Sequence, residues 1–247
     1  MKRIYYLVIA IAIIALSGCS TTGGTFEGLP LPKFLTGKVE NSIYYAKGAS
    51  FSIETPFSQG SYDYQYMAVK EQYHPNDIYV SFNTSTAPDE FYRVEVADFA
   101  SAGKSLPALE AVADQYAPVY EKQLMAGNRG AQLTLVKEEP WSTSKASGVL
   151  RLYTTVIPAS VVVSGGAQSS YTAYHLLYFT EGNGKLAIVD ASWIPQLQEF
   201  SPPPQEKTSP QETNQEANPI MIALAKNGRA RAFFNSIDLS PPTLGAH

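Results

Sequence analysis

Through most of the chain apolar and polar residues alternate with a period of two, the spacing that turns one face of a β-strand to a core and the other to solvent. Ser50-Phe51-Ser52-Ile53-Glu54-Thr55-Pro56 is the first such run and stops at proline. Tyr62, Tyr64, Tyr66 and Ala68 alternate with Asp63, Gln65, Met67 and Val69. Ile78, Val80 and Phe82 then alternate with Tyr79, Ser81 and Asn83, and Tyr92, Val94 and Val96 form a further set. His74-Pro75-Asn76-Asp77 supplies turn chemistry between the second and third runs. Four strands are therefore expected before the first helix.

That helix is expected to start at Ser105 as N-cap, with Pro107 in its first turn. Leu109, Val112, Ala113, Tyr116, Tyr120 and Leu124 fall at three- and four-residue spacings along one face, and Gly127 with Asn128 ends it. Pro118 has no N–H to donate and crowds the carbonyl of Asp114, which predicts a kink. Four more strands follow: Ala131, Leu133 and Leu135 before Pro140-Trp141; Leu150, Leu152, Thr154 and Val156 before Pro158; Tyr171 to Phe179; and Leu186 to Trp193. Asn183-Gly184 is a strong two-residue hairpin signal between the last two.

Asn218 and Pro219 open a terminal helix as N-cap and first residue. Ile220, Met221, Leu224 and Ala225 share one side of a straight helical wheel, and Ala230, Phe233, Phe234 and Ile237 fall roughly opposite. A break at Asn227-Gly228 reconciles the two, with Phe233 and Phe234 docking on the sheet. Short turns between neighbouring strands make the sheet antiparallel. The expectation is an α+β fold: an antiparallel β-sheet of about six to eight strands with helices packed on it.

The N-terminus departs from this pattern. Lys2 and Arg3 precede thirteen apolar residues, Ile4 to Leu16, and then Ser17-Gly18-Cys19. These are the parts of a signal peptide cleaved before Cys19, and the run is shorter than the roughly 20 residues of a membrane span. Leu16-Ser17-Gly18-Cys19 closely resembles the lipobox of bacterial lipoproteins. The resemblance implies that the Cys19 thiol receives a diacylglycerol and that the freed amine is acylated, with palmitate as a typical chain. Ser20, where an aspartate retains such proteins in the inner membrane, implies an outer-membrane anchor in the inner leaflet, with the protein facing the periplasm. The chain thus divides into a signal peptide at 1–18, a Gly- and Pro-punctuated tether at 19–40, and one domain at 41–240. Within that domain lies a Pro/Gln/Glu-rich loop at 200–217.

Composition sharpens three points. Cys19 is the only cysteine, so no disulfide staples the domain. The formal charge of −4 becomes −6 once Lys2 and Arg3 leave with the signal, which argues against nucleic acid as a partner. Sixteen tyrosines suit strands with one face buried and one face wet.

Gly48-Ala49-Ser50-Phe51-Ser52-Ile53-Glu54-Thr55-Pro56 as an opening strand, and Phe233-Phe234-Asn235-Ser236-Ile237 as a closing helix, resemble the PsbP-like family over about residues 41 to 240. That family is named for the extrinsic photosystem II protein and includes bacterial periplasmic lipoproteins. A tryptophan often found after its opening proline is absent here, where Pro56 is followed by Phe57-Ser58-Gln59. The resemblance implies an α/β/α sandwich. It transfers no activity, because the family joins accessory and binding proteins of unrelated function.

No Gly-x-Ser-x-Gly, His-Glu-x-x-His, P-loop or Cys-x-x-Cys occurs. Ser101 to Lys104 and Ser142 to Lys145 match Ser-x-x-Lys without the partner motifs of penicillin-binding enzymes. His74, His175 and His247 have no metal-ligand spacing, so neither metal nor cofactor is expected. The polar pair that pattern brings together is His175 and Asp190. A two-residue turn at Asn183-Gly184 puts His175 opposite Ser192 with Asp190 diagonal to it, and a four-residue loop puts His175 directly opposite Asp190. A carboxylate there should raise the imidazole pKa. The pair reads as two mutually satisfied polar groups, or else as a dyad awaiting a serine such as Ser192. The functional expectation is a lipid-anchored, non-enzymatic accessory or binding module that meets the membrane through Cys19 and an envelope protein through its domain. The alternative is a periplasmic hydrolase without a recognisable motif.

Overall fold

The structure, a computed structural model, describes residues 37–47, 50–127, 132–157, 171–194 and 218–240, together with the backbone of 25–26 and 29–30. The signal peptide, Cys19, Ser20, most of the tether, the 200–217 loop and His247 lie outside the described residues. In the tether segment, β1 (Thr25–Phe26) and β2 (Leu29–Pro30) pair antiparallel. A second sheet joins β3 (Lys38–Glu40), β4 (Ile43–Tyr45) and β5 (Ser52–Glu54). Strands of three residues carry too little alternation for β3 and β4 to be read from pattern.

The main sheet has seven strands: β6 (Met67–Tyr73), β7 (Asp77–Thr84), β8 (Ala87–Asp98), β9 (Leu133–Ser142), β10 (Ser147–Ile157), β11 (Tyr171–Gly182) and β12 (Lys185–Trp193). They lie in the order β6-β7-β8-β12-β11-β10-β9, with every neighbouring pair antiparallel. Asn183 (φ 53°) and Gly184 (φ 73°) both take positive φ, as a type I′ hairpin requires, and Gly182 pairs with Lys185. Gly148 lets β10 approach β11, since a Cβ there would fall 2.0 Å from the Phe179 carbonyl oxygen.

Two expectations are corrected. Tyr62–Gln65 is a short helix, α1, rather than the start of a strand. Ser61 Oγ accepts from Tyr64 N–H at 3.2 Å and caps the turn, and the alternating tyrosines are left unburied, with Tyr62 stacked obliquely on Tyr66 at 4.9 Å. The long helix, α2 (Leu109–Gly127), starts four residues after Ser105, and the Val112 N–H bonds the Ala108 carbonyl. Leu106 precedes Pro107 and is sterically pushed out of helical geometry, so the helix begins only beyond that pair. From there α2 runs through Pro118.

Helices α3 (Pro219–Lys226) and α4 (Gly228–Ser236) are separated at Asn227, the break that the two apolar faces predict. Ile220, Ala223 and Leu224 are the buried residues of α3, while Met221 and Ala225 are exposed, a rotation from the expected face. Phe233 and Phe234 are buried, with Phe233 edge-on to Phe82 and Tyr92 and Phe234 edge-on to Tyr178.

These helices and the β3–β5 sheet share one core with Val80, Phe82, Val94, Tyr178, Val189 and their neighbours on one face of the main sheet. On the opposite face Leu177, Phe179, Leu186 and Ile188 pack under Val112, Ala113, Tyr116 and Tyr120 of α2. The result is three layers, helix on sheet on helices. Both faces of β12 are covered, which is why its sequence is apolar at consecutive positions. Among the described residues no helix is long and apolar enough to cross a membrane.

Candidate functional site

Strand β8 places Tyr92, Val94 and Val96 against α3 and α4, so Arg93 and Glu95 must point to the other face. In a two-layer fold that face would be wet. Here α2 lies over it, and Arg93, Glu95 and, from β12, Asp190 are all buried. Burying three charged groups is costly without partners, and α2 supplies two. Tyr116 and Tyr120 are one helical turn apart, their rings stacked at 5.9 Å with the hydroxyls turned into the layer.

The bonds run in sequence across the strands. Arg93 Nη2 donates to Tyr116 Oη at 2.8 Å, and Tyr116 Oη donates to Glu95 Oε1 at 2.9 Å. Arg93 also lies 2.9 Å from Asp190 Oδ2, a charge contact not aligned as a hydrogen bond, and 3.4 Å from Glu95 Oε1. Its guanidinium sits 5.3 Å from the centre of the Tyr120 ring. Ser192 Oγ donates to Asp190 Oδ1 at 2.8 Å, and Tyr120 Oη lies 3.3 Å from the same oxygen. His175 Nδ1 is 3.1 Å from both Ser192 Oγ and Tyr120 Oη, and Nε2 is 2.6 Å from Thr155 Oγ1.

One assignment of the protons satisfies His175, Ser192 and Thr155. With the Ser192 proton given to Asp190, Ser192 Oγ accepts from His175 Nδ1–H, and the remaining lone pair of the imidazole, on Nε2, accepts from Thr155. This needs a neutral ring. Burial lowers the His175 pKa to about 4, outweighing Asp190, which raises it, and Arg93 lowers it further. The expectation of a raised pKa is thereby corrected: His175 and Asp190 share a face, but Ser192 and Tyr120 stand between them, and loss of hydration dominates. Burial likewise raises the Glu95 pKa against the opposing pull of Arg93 and Tyr116. For Arg93 burial works against the charge, yet Tyr116, Asp190 and Glu95 more than restore it.

His175 faces Ser192, the register of the two-residue turn. Although Ser192, His175 and Asp190 are the residue types of a catalytic triad, their order differs: the aspartate holds the serine rather than the imidazole. In that assignment the hydroxyl donating to the imidazole is Thr155, which is 3% exposed beside a 4% exposed His175. The Ser-x-x-Lys matches are engaged elsewhere, Ser101 Oγ donating to Asp98 and Lys145 pairing with Asp238 at 3.2 Å. Among the described residues no three His, Cys, Asp or Glu side chains gather closely enough to hold a metal.

Pattern did not mark Arg93, Glu95 or Thr155, and it placed Tyr116 and Tyr120 only on the apolar face of the helix. The available signal was an Arg-x-Glu inside a long apolar strand, together with two tyrosines on the apolar stripe of the helix.

No family model and no curated protein matches the chain. Among solved structures it is similar to the solution structure of cyanobacterial PsbP (CyanoP) from Synechocystis sp. PCC 6803, at 16% identity over 63% of this chain and 82% of that one, with a TM-score of 0.36. The architecture rests on its own strand order and layers.

Proposed function

We propose that this chain is a lipid-anchored protein of the bacterial cell envelope whose domain serves as a non-enzymatic accessory or binding module. The observation that carries the reading is Leu16-Ser17-Gly18-Cys19 at the end of a short apolar run behind Lys2 and Arg3. Two or three acyl chains at one residue hold a protein to a bilayer essentially for good, where one gives only marginal binding. Ser20 supports the outer membrane as its destination, and a tether of about 20 residues keeps the domain within roughly 65 Å of the anchor.

The buried layer supports a structural rather than a catalytic role for its polar residues. Each hydroxyl in it is already bonded, and α2 lies across the whole set. Replacing Cys19 with Ser removes the thiol that accepts lipid. The expected outcome is uncleaved precursor or soluble material without lipid label in cells fed a labelled fatty acid, while the wild type is labelled and sediments with outer membrane. Wild type without label ends the anchoring reading. Crosslinking in intact cells, followed by identification of the captured envelope protein, tests the second half.

A further inference from the structure

On the face covered by α2, the buried Arg151 has its own partners in Asp114 and Glu138, whereas two buried carboxylates share the other arginine. One guanidinium, Arg93, is shared by Asp190 and Glu95, and it lies nearer Asp190. Glu95 is 5% exposed and commits Oε1 to Tyr116 and Arg93, while Oε2 is buried with no hydrogen-bond partner among the described residues. That oxygen belongs to a residue lining a small pocket near the β6–β7 turn, together with His74, Asp77, Tyr79, Leu186 and Ile188. Asp77 Oδ1 is also buried without a partner. In the antiparallel register Asp77 faces Ala97 and Tyr79 faces Glu95, so the two carboxyl groups are diagonal neighbours on one face of the sheet. His74 and the exposed Lys104 are the basic side chains near Asp77, and neither hydrogen-bonds Oδ1.

We propose that this pocket binds an aliphatic primary ammonium group, the tip of a lysine side chain presented by a partner protein. The pocket has room for one group about the size of a water molecule, which an ammonium matches and a planar guanidinium exceeds. An ammonium carries three donors, enough for both Glu95 Oε2 and Asp77 Oδ1, and adds a cation where Glu95 and Asp190 share Arg93. Leu186 and Ile188, both buried beneath α2, close the inner wall of the pocket, so that only the tip of the side chain enters. A bare metal ion fits less well, since no three ligating side chains converge among the described residues.

The proposal rests on the reading of the domain as a binding module. The two fail separately: absence of lipid label removes the anchor and leaves the pocket untouched, and failure of an amine to bind leaves the anchor intact. The test is calorimetric titration of the mature chain with n-butylammonium, Nα-acetyl-lysine methylamide, butylguanidinium and calcium. Saturable binding of the first two is expected, with butylguanidinium at least 10-fold weaker. Glu95→Gln and Asp77→Asn should each weaken amine binding at least 10-fold with an unchanged far-UV circular dichroism spectrum. Glu95→Gln keeps the size of the side chain and its Oε1, and Asp77→Asn, at a half-buried position, carries the test should the first variant not fold. Binding unaffected by both substitutions, no saturation by either amine, or calcium bound in preference to both overturns the proposal. Binding of butylammonium but not of the lysine derivative overturns the protein partner and leaves a free small amine as the ligand.

Discussion

Tyr120 shows how much of this protein hangs on one hydroxyl. Its oxygen is within hydrogen-bond distance of His175, Ser192 and Asp190, and its ring lies under Arg93. Tyr120→Phe keeps the ring and removes the bridge, leaving buried acceptors short of a donor. Stability should fall by about 1–3 kcal/mol, the cost of a buried polar group deprived of its partner, read as a lower urea midpoint with an unchanged slope. At this scale the sequence was legible for His175 and Asp190, because a hairpin turn fixes which strand positions oppose one another. It was silent on Arg93 and Glu95, because strand periodicity says that two faces differ without saying what covers each. Only the packing of α2 turns those positions from wet to dry, and with them the sign of the shift at His175.

Asn227 does the equivalent work between elements. Its backbone N–H closes α3 on the Ala223 carbonyl, its Oδ1 accepts from Ala230 N–H at 3.0 Å to open α4, and its Nδ2 donates to the buried Tyr92 hydroxyl at 3.2 Å. Asn227→Ala loses a cap worth about 0.5–2 kcal/mol and leaves Tyr92 with fewer partners, for an expected total of about 1–3 kcal/mol in chemical unfolding. Asn227→Asp keeps the capping oxygen and should recover most of the cap contribution. The break at this point was readable from Asn227-Gly228, a poor helix interior and a good stop, whereas the opposed apolar faces were only half right, since Met221 and Ala225 are exposed. The Tyr62–Tyr66 alternation misled for a converse reason: four residues of period two are also compatible with one exposed helical turn, and Ser61 as N-cap decides between them. Likewise Ser105 is a good cap by composition, but the proline two residues later holds Leu106 out of the helix.

For the whole molecule, order of elements was enough to read an antiparallel sheet with helices on it, since strands joined by short turns can pair in few other ways. What order could not give is that α2 and the α3–α4 pair take opposite faces, and this placement has a consequence in acid. The His175 pKa is about 4 folded against 6.5 for an unhindered imidazole, so the unfolded chain takes up the proton first as pH falls. The contribution is fully present above pH 6.5 and is lost as pH falls toward 4, amounting to about 3 kcal/mol by linkage. Glu95 and Asp77 act in the opposite sense, since their raised pKa values make the folded state the better proton binder and their contribution grows as pH drops. The wild-type profile therefore mixes the two, and the His175 part is isolated by difference. His175→Gln removes the titrating ring while its amide can still meet Thr155 or Ser192. At pH 7 the variant should be the less stable, because its hydrogen bonds are less well fitted. As pH is lowered to 4 the gap between the two proteins should close or reverse by about 3 kcal/mol. Urea unfolding at half-unit intervals between pH 4 and 7.5 measures this directly. A gap that stays constant across that range means His175 is hydrated in both states, and the sealing of this layer by α2 is then wrong.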